Sequence, residues 1–220
     1  NKDWEDLAAD VNGRLYIGDF GNNANRRKDL CIYIFDPAAN TTDSILFTYP
    51  DQTEFPPPPA RAAFDMEALF WWNDTLHLFS KNRLGKGDYI TRHYTLPAQP
   101  GRYTAALVDS TLLPKRVVTT AAIRPGGGQV ALLSYYFKLV LGFIPKTRTS
   151  IFLWEEFPGS LFFRGTRQVV KVRKCLLPTL YEAIDYADAQ TLLIASESVP
   201  LRRAHWRLVK TTKTSRNIRP

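Results

Sequence analysis

Apolar and polar positions alternate with a period of two over most of this 220-residue chain. LCIYIFD (30–36), SILFTYP (44–50), YITRHYTLP (89–97), YTAALVDSTLL (103–113), TSIFLWEEF (149–157), RQVVKVRKC (167–175) and AHWRLVK (204–210) are short runs rich in β-branched and aromatic residues, separated by turn residues. Proline and glycine recur too often for helices, and no run sustains a 3.6-residue period. The pattern predicts an all-β chain.

The same chain matches itself. DWEDLAADVNGRLYIGDFGNN (3–23) lines up with DMEALFWWNDTLHLFSKNR (65–83), with TAAIRPGGGQVALLSYY (120–136) and with YEAIDYADAQTLLIASES (181–198). Each copy has a segment ending in an apolar residue (Leu7, Leu69, Ile123, Ile184), a turn rich in Asp, Asn or Gly, and a run of β-formers. Glu5, Glu67 and Glu182 share one register, with Ala121 in their place in the third copy. Two further strand-like runs follow in copies one to three and one in copy four. Four antiparallel strands per copy at this period are the blades of a β-propeller, an all-β fold, with four recognisable blades over residues 1–200 and a last strand and basic tail over 201–220. An open row of blades leaves an apolar face at each end, so five or six blades are expected in the natural ring, at least one of them upstream. TEFPPPPARAAF (53–64) reads as a stiff crossover between blades.

In a blade meander the start of the first strand and the end of the second lie at one end. There the sequence collects Glu5, Asp6, Asp19, Asn22 and Asn23 from copy one and Asp65, Glu67, Lys81, Asn82 and Arg83 from copy two, with Tyr135 from copy three and Glu182, Asp185 and Glu197 from copy four. Carboxylate and amide oxygens from separate blades suit a hard cation such as Ca²⁺. They also suit a carboxylate base beside a metal-bound water. Against this stands a structural role: an acid at the start of an inner strand can accept backbone N–H groups of the next blade, and recurrence in every copy favours that reading for the glutamates. Asp19, Asn22 and Asn23 do not recur, which makes them the better functional candidates. The expected ligand-binding residues are Asn22, Asn23, Asn82, Arg83 and Tyr135.

Charge changes the picture little. The formal net charge is +8, but residues 201–220 hold seven Lys and Arg and no acid, so the rest of the chain is near neutral. A short basic tail without a reading motif argues against specific nucleic-acid recognition. No apolar run has the ~18–20 residues of a membrane-spanning helix. Cys31 and Cys175 lack zinc-site spacing and leave one disulfide open as an option. Asp19-Phe20-Gly21 has no nucleotide loop around it, Gly126–Gly128 reads as a hairpin turn, and Ser196 lacks both a Gly-x-Ser-x-Gly elbow and a histidine at a readable spacing.

The segments DWEDLA, LYIGDFGNN, YPDQ, FDMEALF and FSKNR, with YEAIDY and LLIASE later on, resemble a group of uncharacterised secreted propeller-like proteins from Bacteroidetes-type bacteria. That resemblance implies a secreted or cell-surface bacterial protein. More distantly the pattern is similar to esterase-like phytase and SMP-30-like propellers; in the latter, Glu, Asn and Asp at the channel mouth hold a divalent cation, and by that likeness Glu5, Asp19 and Glu182 are the expected metal ligands here. Two functions follow as expectations: a module that binds a small molecule, glycan or protein, with Ca²⁺ or another divalent cation at the channel mouth, or a metal-dependent hydrolase of esters, lactones or phosphates.

Overall fold

The computed structural model describes residues 2–81, 89–140, 144–172, 179–198 and 203–211, with backbone alone for 137–140 and 144–146. The chain is all-β: four sheets with blade topology, and no α-helix among the described residues. It divides into two compact units, Asn1–Pro114 and Lys115–Pro220.

In the first unit β1 (Trp4–Ala9), β2 (Leu15–Asp19), β3 (Leu30–Asp36) and β4 (Thr41–Thr48) form one antiparallel meander. A second is built from β5 (Met66–Trp72), β6 (Thr75–Ser80), β7 (Ile90–Pro97) and β9 (Ala106–Leu112). Between β7 and β9 the chain leaves its own blade. The expected single strand 103–113 breaks at Ala105, because β8 (Gly101–Thr104) pairs in parallel with β4 of the first blade. This covers an edge that would otherwise present unpaired N–H and C=O groups.

The second unit holds β10 (Val117–Ile123), β11 (Gln129–Val140), β12 (Ile144–Glu155) and β13 (Thr166–Lys171) in one sheet. The other sheet has three strands, β14 (Tyr181–Asp188), β15 (Thr191–Ser196) and β16 (Trp206–Lys210). The basic segment 201–220 thus contributes a strand, while 212–220 lie outside the described residues, as does Cys175.

Alternation puts one face of each strand into a core. Tyr16, Ile32, Ile45, Leu76, Leu78, Tyr94 and Leu96 fuse the two blades of the first unit, and Leu133, Ile151, Leu153, Tyr181, Leu192 and Ile194 those of the second. Each such Leu or Ile side chain contributes about 1.5–3 kcal/mol on burial. Turn chemistry sets the hairpins: Asn73 and Asp74 both take positive φ, as a type I′ turn requires, and Gly126, Gly127 and Gly128 do so in the expected turn before β11.

Every first strand carries a register irregularity near its start, between Trp4 and Leu7, Met66 and Ala68, Val118 and Thr120, and Tyr181 and Ala183. Glu5, Glu67 and Glu182 therefore occupy equivalent bulge positions, as the repeat requires. The third copy is corrected: its equivalent is Thr119, not Ala121. Pairing Ile123 with Leu69 lies one pleat too far along, and a two-residue slip is invisible to an alternating pattern because it keeps every side chain on its face.

Side chains near these bulges tie blade to blade. The Leu69 N–H donates to Asp6 Oδ2 (3.0 Å) and the Asn22 N–H to Asp65 Oδ1 (2.8 Å) in the first unit. In the second, Thr119 Oγ1 donates to the Tyr181 carbonyl (3.1 Å), and at the other end of the strands Tyr186 OH donates to Gln129 Oε1 (2.7 Å). Asp6→Ala leaves the Leu69 N–H without its acceptor and should lower the unfolding free energy by about 1–3 kcal/mol, whereas Asp6→Asn keeps an acceptor oxygen and should recover most of it. Chemical denaturation of the two variants checks both outcomes.

Candidate functional site: an acidic end of the first unit

The strand starts of the first two blades bring four carboxylates together. Asp3 and Glu5 approach over Gly21, where a Cβ would collide with both carboxyl groups, so the glycine of Asp-Phe-Gly-Asn-Asn is there to admit them. Asp65 and Glu67 come from the second blade, both buried and hydrogen-bonded to each other. Lys81, just after β6, donates to Glu67 Oε1 at 2.6 Å.

Burial pushes both carboxyl groups of the pair above their ordinary range. Glu67, only 4% exposed, is driven up to about 9, first by desolvation, then by the Asp65 charge, against the pull of Lys81 and with a further push from Glu5. Asp65 is raised as well, by burial, although the Asn22 N–H and Lys81 oppose it. Like charges this close do not both ionise, so at neutral pH the pair holds one proton between them.

Asp19 is placed differently from what its non-recurrence suggested. It is 2% exposed and its carboxylate accepts the Lys2 and Asp3 N–H groups (2.9–3.1 Å) and Arg27 Nη1 (3.1 Å). Burial alone would raise its pKa, but the two N–H donors and the guanidinium hold it below the usual carboxylate value. Its oxygens fasten the start of β1. Asn22 is likewise engaged: Oδ1 accepts the Arg26 and Arg27 N–H groups (2.9 and 3.0 Å) and Nδ2 donates to the Phe64 carbonyl (3.1 Å). Asn23 is exposed beside it.

Asn82 and Arg83 lie outside the described residues. Glu182 and Tyr135 belong to the second unit, where Glu182 is half-buried at its bulge and Tyr135 half-buried in β11 opposite Val117. Of the three expected metal ligands, then, only Glu5 joins the acidic cluster of the first unit. Among the described residues no three His, Cys, Asp or Glu side chains are arranged to hold a metal ion.

Sequence reasoning named Glu5, Asp65, Glu67 and Lys81 at this end but gave no weight to Asp3, whose signal is its position two residues before Glu5, matching Asp65 before Glu67. It also missed a histidine. His205 Nδ1 lies 2.8 Å from Ser196 Oγ, and its Nε2 is 3.0 Å from Tyr181 OH. The β15–β16 pairing brings them together, with the Ser196 N–H donating to the His205 carbonyl (2.9 Å) and the His205 N–H to Ser196 Oγ (3.2 Å). Ser196 is buried and closes this hairpin.

Compared with known proteins, the chain matches no family model and no curated protein. No helix among the described residues is long and apolar enough to cross a membrane.

Two titrations of opposite sign follow. Glu67 keeps its proton in the fold from pH 4.5 to about 9 while the unfolded chain ionises, so stability falls as pH rises across that window. His77, stacked with His93 and hydrogen-bonded to it (2.9 Å), is held neutral by burial with its pKa lowered from 6.5 to about 3. The unfolded chain takes up that proton first, so stability also falls as pH drops from 6.5 toward 3. Glu67→Gln should flatten the alkaline decline and leave the acid one in place, as read by thermal melting across the pH range.

Proposed function

We propose that the protein is a ligand-binding propeller module whose recognition surface includes the acidic end of the first unit. The observation that carries this reading is the crowding of the buried pair Asp65 and Glu67, where burial favours keeping a proton, beside Asp3 and Glu5 over Gly21. A group that brings positive charge, Ca²⁺ above all, takes the place of that proton and releases the energy stored in crowding four carboxylates. Glu5 is the expected ligand best placed for it. Asp19 supports the site from behind by fixing the backbone of Asp3, and Glu182 is the corresponding bulge residue of the second unit. The oxygen donors fit a hard cation in kind, and Lys81 is the internal cation with which an incoming ion competes.

A second reading, a metal-dependent hydrolase of esters, lactones or phosphates, draws support from Glu67. A carboxylic acid kept protonated at neutral pH is able to act as a general acid. The ring is proposed to have five or six blades. In support, the first blade leaves Trp4 (55%) and Leu7 (56%) exposed and the last leaves Trp206 (67%) and Leu208 (56%), apolar side chains that a neighbouring blade would cover. The resemblance to secreted bacterial propeller-like proteins extends this proposal to location.

Calorimetric titration with CaCl₂ at pH 7, run in two buffers of different ionisation enthalpy, tests the binding reading. Binding accompanied by release of up to about one proton is expected, and Glu67→Gln should abolish the release. Absence of any heat with Ca²⁺, Mg²⁺ or Mn²⁺ would remove the cation from the proposal. Metal-dependent turnover of p-nitrophenyl esters or phosphates, lost in Glu67→Gln, would place the hydrolase first.

A further inference from the structure

The parallel strap β8 builds a groove that the acidic end does not explain. Its register sets Leu46 beside Arg102 and Thr48 beside Thr104, and side chains adjacent in a parallel pair project to the same face. The Ala105 N–H donates to the Thr48 carbonyl (2.9 Å) and fixes the strap where the chain turns back to β9. The result is a groove of ≈ 530 Å³ whose lining includes Lys28, Asp29, Leu46, Thr48, Arg102 and Thr104. That volume lies within the roughly 300–1,000 Å³ of small-molecule sites.

The charge in the groove is positive. Its one acid, Asp29, is ion-paired with Lys2 and lies 3.3 Å from Arg27 Nε, which hold its carboxyl below the usual range, Lys2 first. Lys28 rests over the Phe55 ring at 4.9 Å and meets no carboxylate among the described residues. Arg102 is exposed and makes neither ion pair nor side-chain hydrogen bond among them. A charge on an edge strand also discourages sheet-to-sheet pairing. That role needs no recess, no second cation and no pair of threonine hydroxyls.

We propose that this groove binds a small molecule bearing a carboxylate or phosphate group, with the Arg102 fork gripping the anion, Lys28 adding charge, and Thr48 and Thr104 supplying hydroxyls to the remainder of the ligand. Guanidinium geometry matches both anions through paired N–H donors, which is why the two share one site. This proposal stands apart from the reading of the acidic end and survives its failure.

The test titrates the full chain with D-glucuronate, D-glucose 6-phosphate, inorganic phosphate and, as the neutral control, D-glucose. The expected result is binding of at least one anion, none of glucose, and affinity at least tenfold weaker in Arg102→Ala and Lys28→Ala, with an unchanged melting temperature in Arg102→Ala and one lowered by at most a few degrees in Lys28→Ala, which also loses its contact with Phe55. Lys171→Ala, an exposed lysine on β13, should bind as the parent does. Preference for glucuronate assigns a carboxylate ligand, preference for glucose 6-phosphate a phosphorylated one, and equal affinity for inorganic phosphate a bare oxyanion. No binding of any anion up to ~10 mM, or binding that Arg102→Ala leaves unchanged, overturns the proposal.

Discussion

One extra residue near the start of each inner strand governs much of what this chain does. A bulge sets two residues against one on the partner strand, so a side chain that would lie on a sheet face is turned toward the strand end. Because the bulge recurs in all four blades, it delivers one side chain per blade to corresponding places: Glu5, Glu67, Thr119 and Glu182. Within each unit it also brings side chains of one first strand within reach of the neighbouring blade's backbone. Radial packing of twisted sheets by apolar contact alone is non-directional. The hydrogen bonds at the bulges supply the direction, fixing Asp6 on Leu69 and Thr119 on Tyr181.

A carboxylate at such a place is costly once its neighbour contributes another. The first unit meets the cost in three ways. Asp65 is satisfied by the Asn22 N–H, Glu67 by Lys81, and the excess negative charge of the pair is removed by retaining a proton. A group of this kind that served only as a staple would be more cheaply built from Thr or Asn, which carry no charge to desolvate; the third blade does so with Thr119. Keeping four carboxylates where neutral groups suffice is the physical argument behind the proposal that this end binds a ligand.

Much of this was legible in the sequence. Alternation and turn residues placed most strands, β3 to the residue, and the repeat placed three of the four bulge positions because Glu is unmistakable there. The fourth was not legible because Thr119 carries no charge and a two-residue slip preserves the alternation. The split of 103–113 was hidden for a different reason: β-propensity reports that Tyr103 and Leu107 belong in sheets, not which sheet, and β8 joins another blade's edge. Asp19 looked functional because it did not recur. In the fold Asp19 has local partners, the Arg27 guanidinium and the Lys2 and Asp3 N–H groups.

The opposition between staple and site, which the sequence poses as a choice for each acid, is resolved in the first unit by dividing the work between neighbours. In the first blade the bulge region holds two acids, and Asp6 takes the Leu69 N–H while Glu5 turns toward Asp3 over Gly21. In the second, Asp65 takes the Asn22 N–H while Glu67 meets Lys81. Each blade thus commits one carboxylate to the backbone and presents another beside it. Asp19 and Asn22 belong to the supporting layer, holding Asp3 and the Phe64–Asp65 backbone in place. In the first unit the non-recurring Asp19 and Asn22 position the acidic cluster, and the recurring Glu5 and Glu67 form part of it.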